Sequence, residues 1–113
     1  MRTYLARLSG VLTLALGISA PANAYDWNIT TQPTMVEATY MPSSVHFQVA
    51  IAAGSSCPVG TWLVWNAKGA DAPTKAANAE AVMSMIMTAK ATNRSLVLFG
   101  NNTGCTVDFI WMN

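Results

Sequence analysis

His46 is the only histidine in the chain, and it is the residue whose type is best suited to proton transfer near neutral pH. A catalytic base needs a nucleophile within hydrogen-bond reach and usually an acid that orients it. Nothing in the sequence ties Glu37, Asp108 or any serine to His46. The favoured interpretation is a surface histidine, with a small hydrolase centred on His46 as the alternative, and the sequence predicts a protein that is not an enzyme.

Motifs for other chemistry are also missing from the sequence. We find no phosphate-binding loop, no nucleophile motif and no metal-ligand spacing of histidine, cysteine and carboxylate residues. The sequence therefore predicts neither a metal site nor a cofactor.

Tryptophan is frequent for a chain of 113 residues: Trp27, Trp62, Trp65 and Trp111. Trp62 and Trp65 are three residues apart in a predicted strand, so one should face the core and the other should face outward. An exposed indole beside amides and hydroxyls can stack on the apolar face of a sugar ring while the polar groups bond its alcohols. The segment 65–69 is the expected exposed patch, and the candidate ligand-binding residues are Trp65, Asn66, Lys68 and Trp62. The alternative is that the tryptophans anchor a small core.

The two cysteines, Cys57 and Cys105, form a candidate disulfide. An exported protein meets an oxidising environment that favours such a bond. A bridge between them would close a loop of about 49 residues and stabilise the fold by about 4 kcal/mol in the chain-entropy model. The alternative, two free thiols or half of a metal site, lacks further ligands.

Residues 1–24 have the three parts of a cleavable secretory signal in order. Arg2 and Arg7 are followed by an apolar run over residues 8–18 and by a small-x-small site at residues 22–24. A membrane anchor is the alternative, but the run is about half of the roughly 20 residues that span a bilayer. The sequence predicts a secreted or periplasmic protein with one domain over residues 25–113 and no membrane span after cleavage.

Charge is sparse in that domain, which carries four basic and five acidic side chains and a net charge of −1. Nucleic-acid binding needs clustered lysine and arginine that displace phosphate counterions, and no such cluster is present. We therefore expect no nucleic-acid partner.

Hydrophobic periodicity predicts a mostly β domain of the α+β class with one helix. Residues 25–40 indicate short edge strands or an irregular arm. Residues 45–52 alternate with a period of two, and residues 59–66 and 95–100 have the composition of strands. Residues 105–112 form a last strand in which Cys105, Val107, Phe109 and Trp111 are expected to share one face. This order predicts a small OB-like antiparallel barrel, or an open sheet of about five strands, packed on the helix.

The helix is predicted over residues 73–93, with Asp71 as its cap and Asn93 as its terminator. Apolar residues cover more of its circumference than the roughly 100° that one buried face needs. Met83, Met85 and Met87 are therefore candidates for an interface between subunits. The alternative is that the methionines fill an uneven core.

Residues 57–111 resemble the B subunits of AB5 toxins, which are small secreted bacterial proteins. The points of likeness are a cysteine-bearing loop leading into residues 61–65, a long helix ending at residues 89–94, a strand over residues 95–100 and a returning strand opened by Cys105. The resemblance implies an OB fold, a ring of five subunits whose helices line a central pore, glycan binding, and a possible enzymatic A chain as partner. No receptor-binding residue of the toxin subunits aligns with a position of this chain.

Two functions follow as hypotheses. The first is an exported, non-enzymatic binding module, a B-subunit-like homo-oligomer that recognises a glycan or a protein receptor. The second is a structural or inhibitory protein of the periplasm or cell surface that binds one protein partner.

Overall fold

The computed structural model describes residues 25–113, so the predicted secretory signal over residues 1–24 lies outside the described residues. Six strands form one sheet, and one α-helix, α1, connects the fourth strand to the fifth. The strands are β1 (Trp27–Thr31), β2 (Pro33–Glu37), β3 (Ser44–Val49), β4 (Leu63–Asn66), β5 (Leu96–Asn101) and β6 (Thr106–Met112); α1 is Ala72–Thr92, and a 3-10 turn covers Thr103–Cys105. The predicted fold class, mostly β with one helix, is confirmed.

The strand order in the sheet is β1-β5-β6-β4-β3-β2, and all neighbours are antiparallel except β4 and β6. The two edge strands, β1 and β2, follow one another in the chain and are separated by Gln32 alone. Consecutive Cα atoms lie 3.8 Å apart, so the end of β1 and the start of β2 must lie close together. The sheet is therefore strongly curled, although its edges are not hydrogen-bonded into a closed barrel. The N-terminal arm forms the edge strands that the sequence predicted.

Helix α1 begins and ends close to the predicted positions. The Asp71 side chain accepts a hydrogen bond from the Thr74 N–H at 2.9 Å, and Pro73 lies in the first turn, where a missing N–H costs nothing. Asn93 closes the helix in the left-handed conformation, with φ of 55°. The helix buries Ala79, Val82, Ile86 and Ala89, which lie on one face, against the core that it forms with the sheet.

The predicted disulfide between Cys57 and Cys105 is present, with Cα atoms 5.9 Å apart. It joins the loop between β3 and β4 to the turn that precedes β6. Both half-cystines are buried, so the bridge belongs to the core of a domain that is too small to bury much apolar surface. Within residues 25–113, no helix is long and apolar enough to cross a membrane.

Strand β6 departs from the predicted alternation. Gly100 pairs with Val107 and Phe99 pairs with Phe109, so Asp108 is an extra residue that forms a β-bulge. Val107 is buried before the bulge, whereas Phe109 and Trp111 are exposed after it. The expectation that Cys105, Val107, Phe109 and Trp111 share one face is wrong, because the bulge reverses the phase of the strand at its middle.

Candidate functional site

Trp65 is buried, with 5% of its surface exposed, so the expectation that its ring forms an exposed patch is wrong. Its indole N–H donates to Asn78 Oδ1 on α1 at 2.8 Å. The strand begins at Leu63, not near residue 59 as predicted, and Leu63 and Trp65 both face the core. Trp62 precedes the strand and is the outward member of the pair, 37% exposed, so one tryptophan faces the core and the other faces outward.

The other two residues of that candidate site, Asn66 and Lys68, are exposed. Lys68 Nζ lies over the Trp65 ring, 4.8 Å from its centroid, and 3.6 Å from Asp108 Oδ1, so the ammonium group covers the indole face and pairs with the bulge residue. Asn78 Oδ1 also accepts the Lys68 N–H at 2.9 Å. These contacts hold the β4–α1 connection in place, and a stacking role for the Trp65 ring does not fit its burial.

The three methionines proposed for an interface differ in exposure. Met83 and Met85 are partly buried and pack against the core of their own domain, whereas Met87 is exposed. The core-filling alternative therefore describes Met83 and Met85 in part. Met87 is the one of the three with a largely free side chain.

An exposed aromatic cluster lies on β5, β6 and the residues before β1. We call it the aromatic face, and it consists of Tyr25, Phe99, Phe109 and Trp111. Tyr25 meets Phe99 and Phe109 edge to face, with ring centroids 5.7 and 5.5 Å apart, and Phe99 lies 5.3 Å from Trp111 at a tilt of 31°. Phe109 and Trp111 are 51% and 44% exposed. Apolar side chains grouped in this way commonly mark a binding site.

The bulge at Asp108 places these rings on the outer surface, and the strand register then aligns them with polar neighbours. Across the sheet, Asn28 pairs with Phe99, which pairs with Phe109. In the next row of the same face, Thr30 pairs with Val97, which pairs with Trp111. Each row therefore starts with an amide or hydroxyl on β1 and ends with an exposed ring on β6.

Two depressions adjoin at this face. The first is an open, wholly apolar groove of about 260 Å³ lined by the four rings. The second, which we call the polar pocket, has a volume of about 200 Å³ and is lined by Tyr25, Asp26, Trp27, Asn28 and Phe99. Tyr25 and Phe99 line both depressions, so the groove and the polar pocket form one continuous surface.

The backbone and carboxylate of Asp26 are fixed at the edge of the polar pocket. The Asp26 N–H donates to Gly100 O at 3.0 Å, and Asp26 Oδ2 accepts from the Asn102 N–H at 2.9 Å. The Asp26 carboxylate is therefore held beside the rings. Trp27 is buried beneath the pocket, and its indole N–H has no hydrogen-bond partner among residues 25–113.

A second polar constellation, which sequence reasoning missed, lies on β2 and β3. Ser44 Oγ is 3.1 Å from His46 Nε2, and His46 Nδ1 is 3.5 Å from Glu37 Oε1. Ser44 and His46 are two residues apart on β3 and so face the same side, and Glu37 is the cross-strand partner of His46. The i, i+2 spacing of Ser44 and His46 was a signal available in the sequence, whereas the pairing with Glu37 required the register of the sheet.

Comparison with models of known protein families, with curated proteins and with solved structures gives no match to this chain.

Proposed function

We propose that the protein is an exported binding module that recognises carbohydrate at the aromatic face and the adjoining polar pocket. The observation that carries the proposal is that an apolar groove and a polar pocket share Tyr25 and Phe99. A pyranose has the same two-sided chemistry, with an apolar C–H face and a rim of hydroxyls, so one sugar residue would satisfy both parts of this surface.

The rings supply the stacking part of the site. The Phe99 and Trp111 rings are tilted by 31° to each other, and Trp111 is exposed, so a sugar ring can lie over the indole without displacing protein. Tyr25 and Phe109 stand edge to face around Phe99 and fix its orientation. The sugar therefore meets rings that lose little freedom when it binds.

The polar pocket supplies the hydrogen bonds. Asp26 Oδ1 and the Asn28 amide offer acceptors and donors for sugar hydroxyls, and the Asn102 N–H already holds the Asp26 carboxylate in place. Charge-assisted hydrogen bonds to a carboxylate are about twice as strong as neutral ones. Each depression is smaller than the roughly 300–1,000 Å³ of a pocket for a drug-sized ligand, so we propose that one sugar residue of a longer glycan is bound, with modest affinity.

The experiment is glycan-array screening followed by titration of the best glycan with matched tryptophan variants. We expect Trp111→Ala to weaken binding about 5- to 150-fold, the range that loss of 1 to 3 kcal/mol of stacking gives. Trp62→Ala is the control, because Trp62 is exposed but lines neither depression. Equal binding by Trp111→Ala and the unmodified protein, or the absence of any bound glycan, would overturn the proposal. A protein ligand that binds the unmodified protein but not Trp111→Ala would instead favour the structural or inhibitory alternative.

Export and self-association are parts of the same proposal. The buried disulfide and the absence of a membrane-spanning helix in the described residues are compatible with a periplasmic or extracellular location. In a B-subunit-like ring, several weak sites would act together and raise the overall affinity. Light scattering tests the ring. A mass of one chain would exclude the ring and, with it, the expected enzymatic partner chain. The glycan site is tested separately.

A further inference from the structure

We propose that Ser44 is a nucleophilic serine, activated by His46 and positioned through Glu37, which small activated esters acylate. This inference is independent of carbohydrate binding, because its residues lie on β2 and β3, whereas the aromatic face lies on β5, β6 and the residues before β1. The two proposals therefore succeed or fail separately.

The order of atoms is the one that nucleophilic catalysis requires. Ser44 Oγ lies 3.1 Å from His46 Nε2, within the 2.6–3.2 Å over which a base accepts a hydroxyl proton. The other ring nitrogen, Nδ1, faces Glu37 Oε1 at 3.5 Å, a longer contact of the kind seen in unliganded sites. A carboxylate on that side favours the tautomer with hydrogen on Nδ1, which leaves Nε2 free to accept the serine proton.

The surroundings hold these three groups in place. Thr39 Oγ1 donates to Glu37 Oε2 at 3.2 Å, so the second carboxylate oxygen is also bonded. The Tyr40 ring lies over the imidazole of His46, with centroids 4.7 Å apart and a tilt of 30°. Register pairing of Glu37 with His46 fixes the distance between the strands that carry them. The histidine is thus oriented by a carboxylate on its edge and by an aromatic ring on its face.

Exposure limits the substrates. Ser44 is only 8% exposed, so the electrophile must be small, such as an acetyl ester or a compact phosphonate. The leaving group must also be good. The N–H groups of Ser43 and Ser44 both donate to Tyr40 O, at 3.0 and 3.1 Å, and so neither is free to stabilise an oxyanion. Loss of one oxyanion donor costs about 10²- to 10³-fold in rate, so we expect acylation by aryl esters and slow turnover.

In the reaction, Ser44 Oγ forms a bond to the acyl carbon of the ester, and its proton passes to His46 Nε2. The bond from the acyl carbon to the alkoxy oxygen breaks, and the departing oxygen takes the proton from His46. Water then attacks the acyl-serine, gives one proton to His46, and releases the carboxylic acid as that proton returns to Ser44 Oγ. Glu37 is a positioning residue, because it touches His46 and not the substrate.

The experiment treats the whole oxidised protein with a small fluorophosphonate and, separately, with p-nitrophenyl acetate, and identifies the modified residue by peptide mass. We expect the phosphonyl group on Ser44, with loss of fluoride, and at least a tenfold lower labelling rate in His46→Gln. Ser84→Ala is the matched control, since Ser84 is an exposed helical serine with no histidine beside it, and its labelling should equal that of the unmodified protein. Circular dichroism establishes that each variant is folded, and His46→Asn is the second variant if His46→Gln does not fold.

Glu37→Gln separates positioning from folding. We expect it to lower the maximal rate constant for acetylation of Ser44 while leaving unchanged the concentration of p-nitrophenyl acetate at which that rate is half-maximal, and we expect Glu37→Asp to restore part of the rate. The proposal is wrong if Ser44 carries no adduct, if His46→Gln is labelled as fast as the unmodified protein, or if Ser44→Ala hydrolyses the ester at the full rate. That last result would mean that the imidazole acts alone.

Discussion

The indole of Trp27 lies against Gly100, its cross-strand partner, so closely that the benzo ring occupies the space a side chain at position 100 would need. The close approach seats the indole beneath the polar pocket, because Trp27 is 93% buried there. Glycine at this position is required by space and not by backbone conformation, since Gly100 is absent from the residues with positive φ.

We therefore expect Gly100→Ala to destabilise the protein by about 1 to 3 kcal/mol, as overpacked cores commonly do. Urea unfolding measures the loss. The double variant Trp27→Phe with Gly100→Ala should recover only part of the loss expected from adding the two single effects, because the Thr106 carbonyl oxygen also lies in the space that an added Cβ would need. Strict additivity would show that the indole is not the cause.

Reduction of the Cys57–Cys105 disulfide should lower the free energy of unfolding by about 4 kcal/mol, given the 48-residue separation that it constrains. Urea titrations with and without a reductant measure this. Cys57→Ser and the double variant with Cys105→Ser should be equally destabilised, and neither should respond to the reductant. A reductant effect below about 1 kcal/mol would contradict the role of the bridge as the main staple of this small domain.

Asn78 joins α1 to the sheet through one oxygen, which accepts the Trp65 indole N–H and the Lys68 backbone N–H. Asn78→Ala leaves the indole N–H without its partner, so we expect a loss of about 1 to 3 kcal/mol in stability. Trp65→Phe combined with Asn78→Ala should lose less than the sum of the single variants. Glycan binding should be unchanged in Asn78→Ala, which separates this structural contact from the aromatic face.

Asp71 gives the helix a pH-dependent cap. Hydrogen bonds from the Thr74 hydroxyl and the Thr74 backbone N–H hold the pKa of its carboxyl below the ordinary value of 3.8. The charged form therefore stabilises the folded protein above about pH 4, and this contribution is lost as the pH falls through the lowered pKa. In Asp71→Asn, which caps a helix without titrating, thermal unfolding followed over pH 2 to 5 should lack this component. An identical pH profile in both proteins would contradict the assignment.

Much of the fold follows from local pattern. The limits of the helix follow from its capping residues, and the strands around it follow from the alternation of apolar and polar residues. The disulfide follows from the predicted export. The phase of β6 could not be predicted, because the bulge at Asp108 is set by its pairing with β5 and leaves no mark in the residues themselves. The predicted exposure of Trp65 was wrong for a related reason. Which side chains of a strand are buried depends on the residue at which the strand begins.

The candidate site was the least predictable part. Tyr25, Phe99 and Trp111 belong to separate segments, and only strand order brings them together on one face. The contact between His46 and Glu37 likewise depends on the register of β2 with β3. Sequence reasoning found the residue type that could act as a base and the correct outward phase of His46, but it could not supply the carboxylate.

Strand β1 pairs with a strand that lies far along the chain, and this affects how the protein folds. Residues 27–31 pair with residues 96–100, which lie about 70 positions later in the chain, so β1 can find its partner only after nearly all of the described domain is available. Contacts between residues so distant in sequence form slowly, because a large loop must close before they are gained. We expect β1 to dock last, and until it does, β5 remains an unpaired edge of the sheet that is open to other chains.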